Sequence, residues 1–212
     1  MHWQQDLHDR VQRWADRHHL AVTADQLNQL ETYLVELDKW NRSYNLTAIR
    51  QLPQMVTHHV LDSLSIQAFL TPQLLDVGTG PGLPGLVLAV VNPDRLFTLL
   101  DSNGKKTRFL RHIQQTLNLQ NINIQSVRAD AYQPAHLYPA ITSRAFSSLV
   151  DLVVATRHVL SPQGVYLAMK GQYPEQEIQR LQEQIAIVDL DVHQLDPDGV
   201  DGQRHLIRFG LS

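Results

Sequence analysis

The residues best suited to chemistry lie in one short segment, Leu74-Leu75-Asp76-Val77-Gly78-Thr79-Gly80-Pro81-Gly82-Leu83-Pro84-Gly85. An apolar run enters a glycine-dense turn and leaves it directly as a second apolar run, Leu86-Val87-Leu88-Ala89-Val90-Val91. This order predicts a strand, a tight turn and a helix. Glycine at such a junction lets backbone N–H groups come close to a ligand where a side chain would stand in the way. In an open α/β sheet the turn falls at the carboxyl end of a parallel strand, where nucleotides bind. Asp76 stands just ahead of the first glycine. The next strand-like run, Leu96-Phe97-Thr98-Leu99-Leu100, ends in Asp101, an acid suited to hold ribose hydroxyls. The chemistry at this stage is recognition of a nucleoside.

The glycines fit two registers. Gly80, Gly82 and Gly85 satisfy G-x-G-x-x-G, the dinucleotide fingerprint, a weak signal alone. Gly78, Gly80 and Gly82, with Asp76 ahead of them, satisfy the acid-x-G-x-G-x-G loop of S-adenosylmethionine-dependent methyltransferases. The second register leaves Pro84 near the start of the helix, where a missing N–H is harmless. The first would put Pro81 inside a phosphate cradle and remove a donor. No Lys-Ser/Thr ending marks a triphosphate loop. The expected cofactor is S-adenosyl-L-methionine, with S-adenosyl-L-homocysteine as product. The chain has no cysteine, which excludes disulfides, thiolate zinc sites and iron–sulfur chemistry. It also excludes the covalent cysteine route to pyrimidine C5, so methyl transfer must be direct.

Composition is that of a globular enzyme: 212 residues, 43% hydrophobic and 18% charged, enough for one core and a small helical extension. No apolar run reaches membrane-span length, and the opening Met1-His2-Trp3-Gln4-Gln5-Asp6 is no signal peptide, so a cytoplasmic protein is expected. A monomer without metal or membrane contact is expected too. Net charge of −3 argues against general coating of nucleic acid but leaves room for a local patch. Gly104-Lys105-Lys106-Thr107-Arg108-Phe109-Leu110-Arg111 places four basic groups beside Asp101. They are either a solvated helix face or phosphate contacts.

The elements that must position these residues fall into two parts. Residues 1–71 form an N-terminal helical extension. Leu7, Val11, Trp14 and Ala15 recur at helical spacing, as do Leu27, Leu30, Leu34 and Leu37 after a Thr23-Ala24-Asp25-Gln26 capping region. A third helix begins after Pro53 and carries His58, His59, Leu61 and Leu64. Residues 72–212 alternate strands and helices, with strands at 74–77, 96–100, 122–127, 140–143, 165–169, 187–193 and 205–209. This predicts an α/β, Rossmann-like class I methyltransferase domain: a seven-stranded, mostly parallel sheet covered on both faces. The last strand is expected to return as an edge hairpin.

Several further motifs accompany the loop, in order: Trp40-Asn41-Arg42-Ser43-Tyr44-Asn45-Leu46-Thr47, His59-Val60-Leu61-Asp62-Ser63, Leu100-Asp101-Ser102, Gly104-Lys105-Lys106, Ser143-Arg144-Ala145-Phe146, Lys170-Gly171 and Gly202-Gln203-Arg204-His205. With this ordered set the chain resembles, over nearly its whole length, the bacterial 16S rRNA guanine-N7 methyltransferase family, also called glucose-inhibited division protein B. The resemblance implies methylation of N7 of one guanine (guanine 527, in the 530 loop) of 16S rRNA, with naked rRNA or a small-subunit particle as partner. By position, Gly78 and Leu83 would contact the cofactor, Ala129 and Asp130 would meet the adenine, and Arg144 would close the site. The pair at 129–130 departs from the family, which more often has a Val-Glu-like pair there.

Guanine N7 carries an exposed lone pair in the neutral base and needs no general base, so the enzyme's task is to align and shield. Arg144, at the end of a strand on the ligand edge, could stack on a base, grip a phosphate or pair with a nearby acid. Phe146 could stack a base but is read as core. Lys170, ending the fifth strand, and Arg204 are further RNA-phosphate candidates beside Lys105, Lys106 and Arg108. His18-His19 and His58-His59 lack metal-site spacing and are read as surface or capping residues, and Asp62 and Asp38 as helix-surface acids or cap partners. Asn41, Arg42, Tyr44 and Asn45 either contact RNA or lock the extension onto the sheet. Rival functions are a dinucleotide-dependent oxidoreductase, a non-catalytic ribosome-assembly factor, and a methyltransferase acting on another RNA or a small metabolite.

Overall fold

A computed structural model describes residues 2–144 and 146–212. The chain opens with α1 (His2–Arg17) and α2 (Ala24–Tyr44). Thr23 caps α2 as its sequence predicts: its hydroxyl accepts from the Gln26 N–H at 3.2 Å, while the Gln26 side chain accepts from the Thr23 N–H at 2.8 Å. The expected third helix starts one residue before Pro53 and is not uniform. α3 (Leu52–Met55) widens into a π-helical turn (Val56–Leu61) before α4 (Asp62–Leu64). Wide turns of this kind are rare and concentrate at functional sites.

The sheet follows as β1 (Gln73–Val77), α5 (Gly85–Val91), β2 (Leu96–Leu100), α6 (Gly104–Thr116), β3 (Ile122–Gln125), β4 (Tyr138–Ser143), α7 (Leu149–Thr156), β5 (Leu160–Lys170), α8 (Glu175–Gln184), β6 (Ile187–Leu195) and β7 (Arg204–Leu211). Strand order is β3-β2-β1-β4-β5-β7-β6, and β7 runs antiparallel to both neighbours. The last strand returns as a hairpin with β6 at this end of the sheet, as expected, and β6 rather than β7 is the outermost strand. β7 inserts between β5 and β6 because Leu206, Ile207 and Phe209 are buried in succession, whereas β6 leaves Val188 exposed. A strand apolar on both faces belongs inside the sheet.

Alternate residues of each strand feed two cores, one per face. Leu74, Leu99, Ala140, Leu167 and Leu206 join α1, α2, α5 and α6 in the larger. Leu75, Leu100, Ile141, Ala168 and Ile207 join α7 and α8 in the smaller. Strand order reverses between β1 and β4, which opens a crevice over their carboxyl ends. Among the described residues, no helix is long and apolar enough to cross a membrane.

Candidate active site

The glycine turn joins β1 to α5, and Asp76 organises it from beneath. Asp76 is fully buried, and its Oδ2 accepts from the Thr79 hydroxyl at 2.6 Å and the Gly85 N–H at 2.8 Å. Burial pushes its carboxyl up to about 6, against the opposing pull of those two hydrogen bonds. The Gly78 and Thr79 N–H groups donate to the Leu100 carbonyl at 2.8 and 3.1 Å, and the Gly82 and Leu83 N–H groups to the Thr79 carbonyl at 3.0 and 2.9 Å. The Gly80 N–H donates to Asp101 Oδ2 at 2.9 Å. Proline supplies no donor at 81 or 84. Every amide donor from Gly78 to Gly85 is thus spent inside the protein.

That result corrects one expectation and decides between the two glycine registers. The turn does not offer N–H groups to a ligand. A pyrophosphate needs such donors, so the dinucleotide register has no physical support. The glycines divide by task. A Cβ at Gly78 (φ +68°) would meet nothing within 4 Å, and one at Gly80 (φ +62°) nothing closer than 4.0 Å, so both face open space. A Cβ at Gly82 would lie 2.6 Å from Leu86 Cβ, and one at Gly85 2.4 Å from Leu99 Cδ2, so these two are packing positions.

Gly78 opens onto a cleft of about 280 Å³ lined also by Asp101, Ala129, Asp130 and Phe146, among others; Gly80 is not on its lining. Four of the expected cofactor residues, from β1, β2 and the turn after β3, therefore converge. Leu83, which is buried, Gly82 and Arg144 are not on this lining. Asp101 has a task beyond the expected one: besides holding Gly80, its Oδ1 accepts from the Asn103 N–H at 2.8 Å. Lys106 Nζ stands 3.6 Å from Asp101 Oδ2, so Lys106 turns toward the glycine turn while Lys105 and Arg108 are exposed. Hydrogen bonds from Arg128 hold the Asp130 carboxyl below the usual range. Phe146 is half-buried, packed on the smaller core at the cleft wall.

A second cleft, about 560 Å³, opens where the π-helical turn meets the carboxyl ends of β4 and β5 and the start of β7. Thr47, His59, Asp62, Arg144, Lys170 and Arg204 line it. Asp62 is not a surface acid. It is 3% exposed, and its two oxygens take Arg144 Nη1 at 3.1 Å and Arg204 Nε at 3.0 Å. Arg144 Nη1 also donates to the His58 carbonyl at 2.9 Å, so the ion-pair alternative for Arg144 is realised within a cleft. His59 is not a surface residue either: it is buried, with Nε2 3.0 Å from Thr47 Oγ1. Burial, reinforced by Arg144, pushes its imidazole down to about 4. Periodicity misses both residues. Local pattern held no signal for them: Val56, Val60, Leu61 and Leu64 fall on one helical face and His58, His59, Asp62 and Ser63 on the other, as on a surface helix.

Asn41 locks rather than binds. Its side chain donates to the Ile49 carbonyl and accepts from the Thr47 N–H, shaping the wall that carries Thr47. Lys170 is engaged with Glu177 at 2.8 Å, and His205 Nδ1 sits 2.9 Å from the Gly171 carbonyl.

A sheet of this order, with a donor-spent glycine turn after β1 and a carboxylate ending β2, defines a class I methyltransferase. Solved structures agree on the fold. Precorrin-6y C5,15-methyltransferase from Geobacter metallireducens superposes with a TM-score of 0.52 over 80% of this chain and 93% of that one, at 12% identity. Ribosomal protein L11 methylase from Lactobacillus delbrueckii subsp. bulgaricus gives 0.55 over 76% and 79%, at 15% identity. The chain belongs to the rRNA small subunit methyltransferase G family, whose model matches residues 26–207. Relatives named ribosomal RNA small subunit methyltransferase G include those of Chromobacterium violaceum, 46% identical over 91% of this chain and 92% of its own, and Cellvibrio japonicus, 44% identical over 86% and 85%.

Proposed function

We propose that this chain transfers a methyl group from S-adenosyl-L-methionine to N7 of a specific guanine of 16S rRNA, guanine 527 by family resemblance. The observation that carries the cofactor assignment is the turn itself, with no amide donor to spare and open space at Gly78 and Gly80 beside the Asp101 carboxylate. A surface with no free amide donor supports a nucleoside without phosphates over a dinucleotide. Asp101 would accept from the ribose hydroxyls, Ala129 and Asp130 would border the adenine, and Gly78 and Gly80 would let the backbone approach. Leu83, itself buried, is assigned a cofactor contact by family resemblance alone. When bound, the cofactor supplies an electrophilic methyl on a sulfonium.

The remaining work is positioning. N7 attacks with its own lone pair, so the chain supplies alignment rather than a base. Arg144 lines the larger cleft and is assigned to holding the acceptor nucleotide; Lys105 and Arg108 are assigned to RNA phosphates. A tritiated-methyl transfer assay on small-subunit particles and on free rRNA, followed by mass spectrometry of the modified base, tests this reading. The expected product is N7-methylguanosine at one site. Label on a different atom or base, or none on either substrate, overturns it.

A further inference from the structure

Among the described residues, Asp62 is the one carboxylate lining the larger cleft, and both its oxygens are already committed. Its side chain is 5% exposed, and both oxygens are taken by guanidiniums from strands far away in sequence. Those two side chains are partly open, at 28% for Arg144 and 25% for Arg204, and both line the cleft. Two arginines sharing one carboxylate leave a unit of surplus positive charge. The shared contact fixes the pair: Arg144 commits Nη1, and Arg204 commits Nε with Nη1 on the Gln203 carbonyl. Side by side, such planar groups match the oxygens of a phosphodiester. Among the described residues the only other lysine or arginine on the lining, Lys170, is already balanced by Glu177.

We propose that Asp62 is a positioning residue: it clamps Arg144 and Arg204 together so that the pair grips an RNA phosphate and holds the acceptor nucleotide in the larger cleft. The proposal rests on the rRNA methyltransferase reading above. It explains why a charged residue is buried at the end of a π-helical turn, because the turn delivers Asp62 and the His58 carbonyl to the same Arg144 nitrogen. Asp62 acts only through the two arginines.

The test uses the full-length protein and Asp62→Asn, which keeps shape and removes charge. Expected are cofactor affinity within twofold of wild type, since the other cleft is lined by different residues, and a rate at saturating RNA reduced on the order of a hundredfold, as for a misplacement of about 1 Å. RNA affinity at low salt should be equal or tighter with a steeper salt dependence, because the variant gains a net positive charge. A merely structural role would weaken cofactor and RNA binding together. In a double-mutant cycle, Asp62→Asn added to Arg144→Ala and Arg204→Gln should cost little more. Should Asp62→Asn not fold, Arg204→Gln tests the clamp from its exposed end, with the same rate loss expected and wild-type cofactor affinity. Wild-type rates in whichever variant folds, or additive losses in the cycle, overturn the role of Asp62. A wild-type protein that does not methylate rRNA in the same assay overturns the underlying reading, and the clamp with it.

Discussion

Asp76 and His59 titrate in opposite senses over the same acid range, and mutation should separate them. Burial raises Asp76 from 3.8 to about 6 and lowers His59 from 6.5 to about 4. Between pH 4 and 6 native Asp76 keeps a proton that the unfolded chain has released. Its contribution to stability is complete below 3.8 and is lost as pH rises through 6, about 3 kcal/mol at 1.36 kcal/mol per unit. Native His59 stays neutral while the unfolded chain is protonated. Its contribution is complete above 6.5 and is lost as pH falls through 4, again about 3 kcal/mol. In the wild type the two slopes cancel. His59→Gln removes one, so relative to wild type the variant should lose about 3 kcal/mol as pH rises from 4 to 6.5. Asp76→Asn should show the opposite trend between pH 4 and 6. Urea unfolding followed by tryptophan fluorescence at half-unit pH steps, differenced against wild type, removes the contribution of the other carboxylates. Difference curves flat to about 1 kcal/mol would refute the reasoning, because that outcome requires both groups to be hydrated in the native state.

Three further outcomes follow from the geometry. Gly80→Val forces a branched side chain onto φ +62° and into the open space between the turn and Lys106; calorimetry should detect no S-adenosylmethionine binding by the folded variant, and unchanged affinity would remove the site from this turn. Asp101→Ala removes the acceptor for Gly80 and Asn103 together with the proposed ribose contacts. At about 1.5–3 kcal/mol per charge-assisted bond, cofactor affinity should fall at least tenfold, and the variant should no longer distinguish the cofactor from an analogue lacking both hydroxyls. Replacing Lys105 and Arg108 with Gln should lower the log–log salt slope of RNA binding by about one unit per lost phosphate contact; filter binding that shows an unchanged slope assigns them to solvent.

The sequence determined the fold class, the cofactor turn and the order of the motifs, because each depends on short-range pattern. Apolar runs at periods of two and of about 3.6 mark strands and helices, and glycines between Asp76 and Leu86 mark the turn. The Thr23–Gln26 capping box was legible for the same reason, since all its partners lie within four residues. Tertiary structure alone decided where the amide donors of the turn go, because their acceptors, the Leu100 carbonyl and Asp101, come from the next strand. It also decided that β7 lies inside the sheet, and that Lys106 faces Asp101 while Lys105 and Arg108 face solvent. Asp62 is the extreme case. Its partners stand 82 and 142 residues away, and local pattern carries no record of contacts at that separation. A charged residue on a helix reads as surface until folding brings the opposite charges to it, and only then does its burial become affordable.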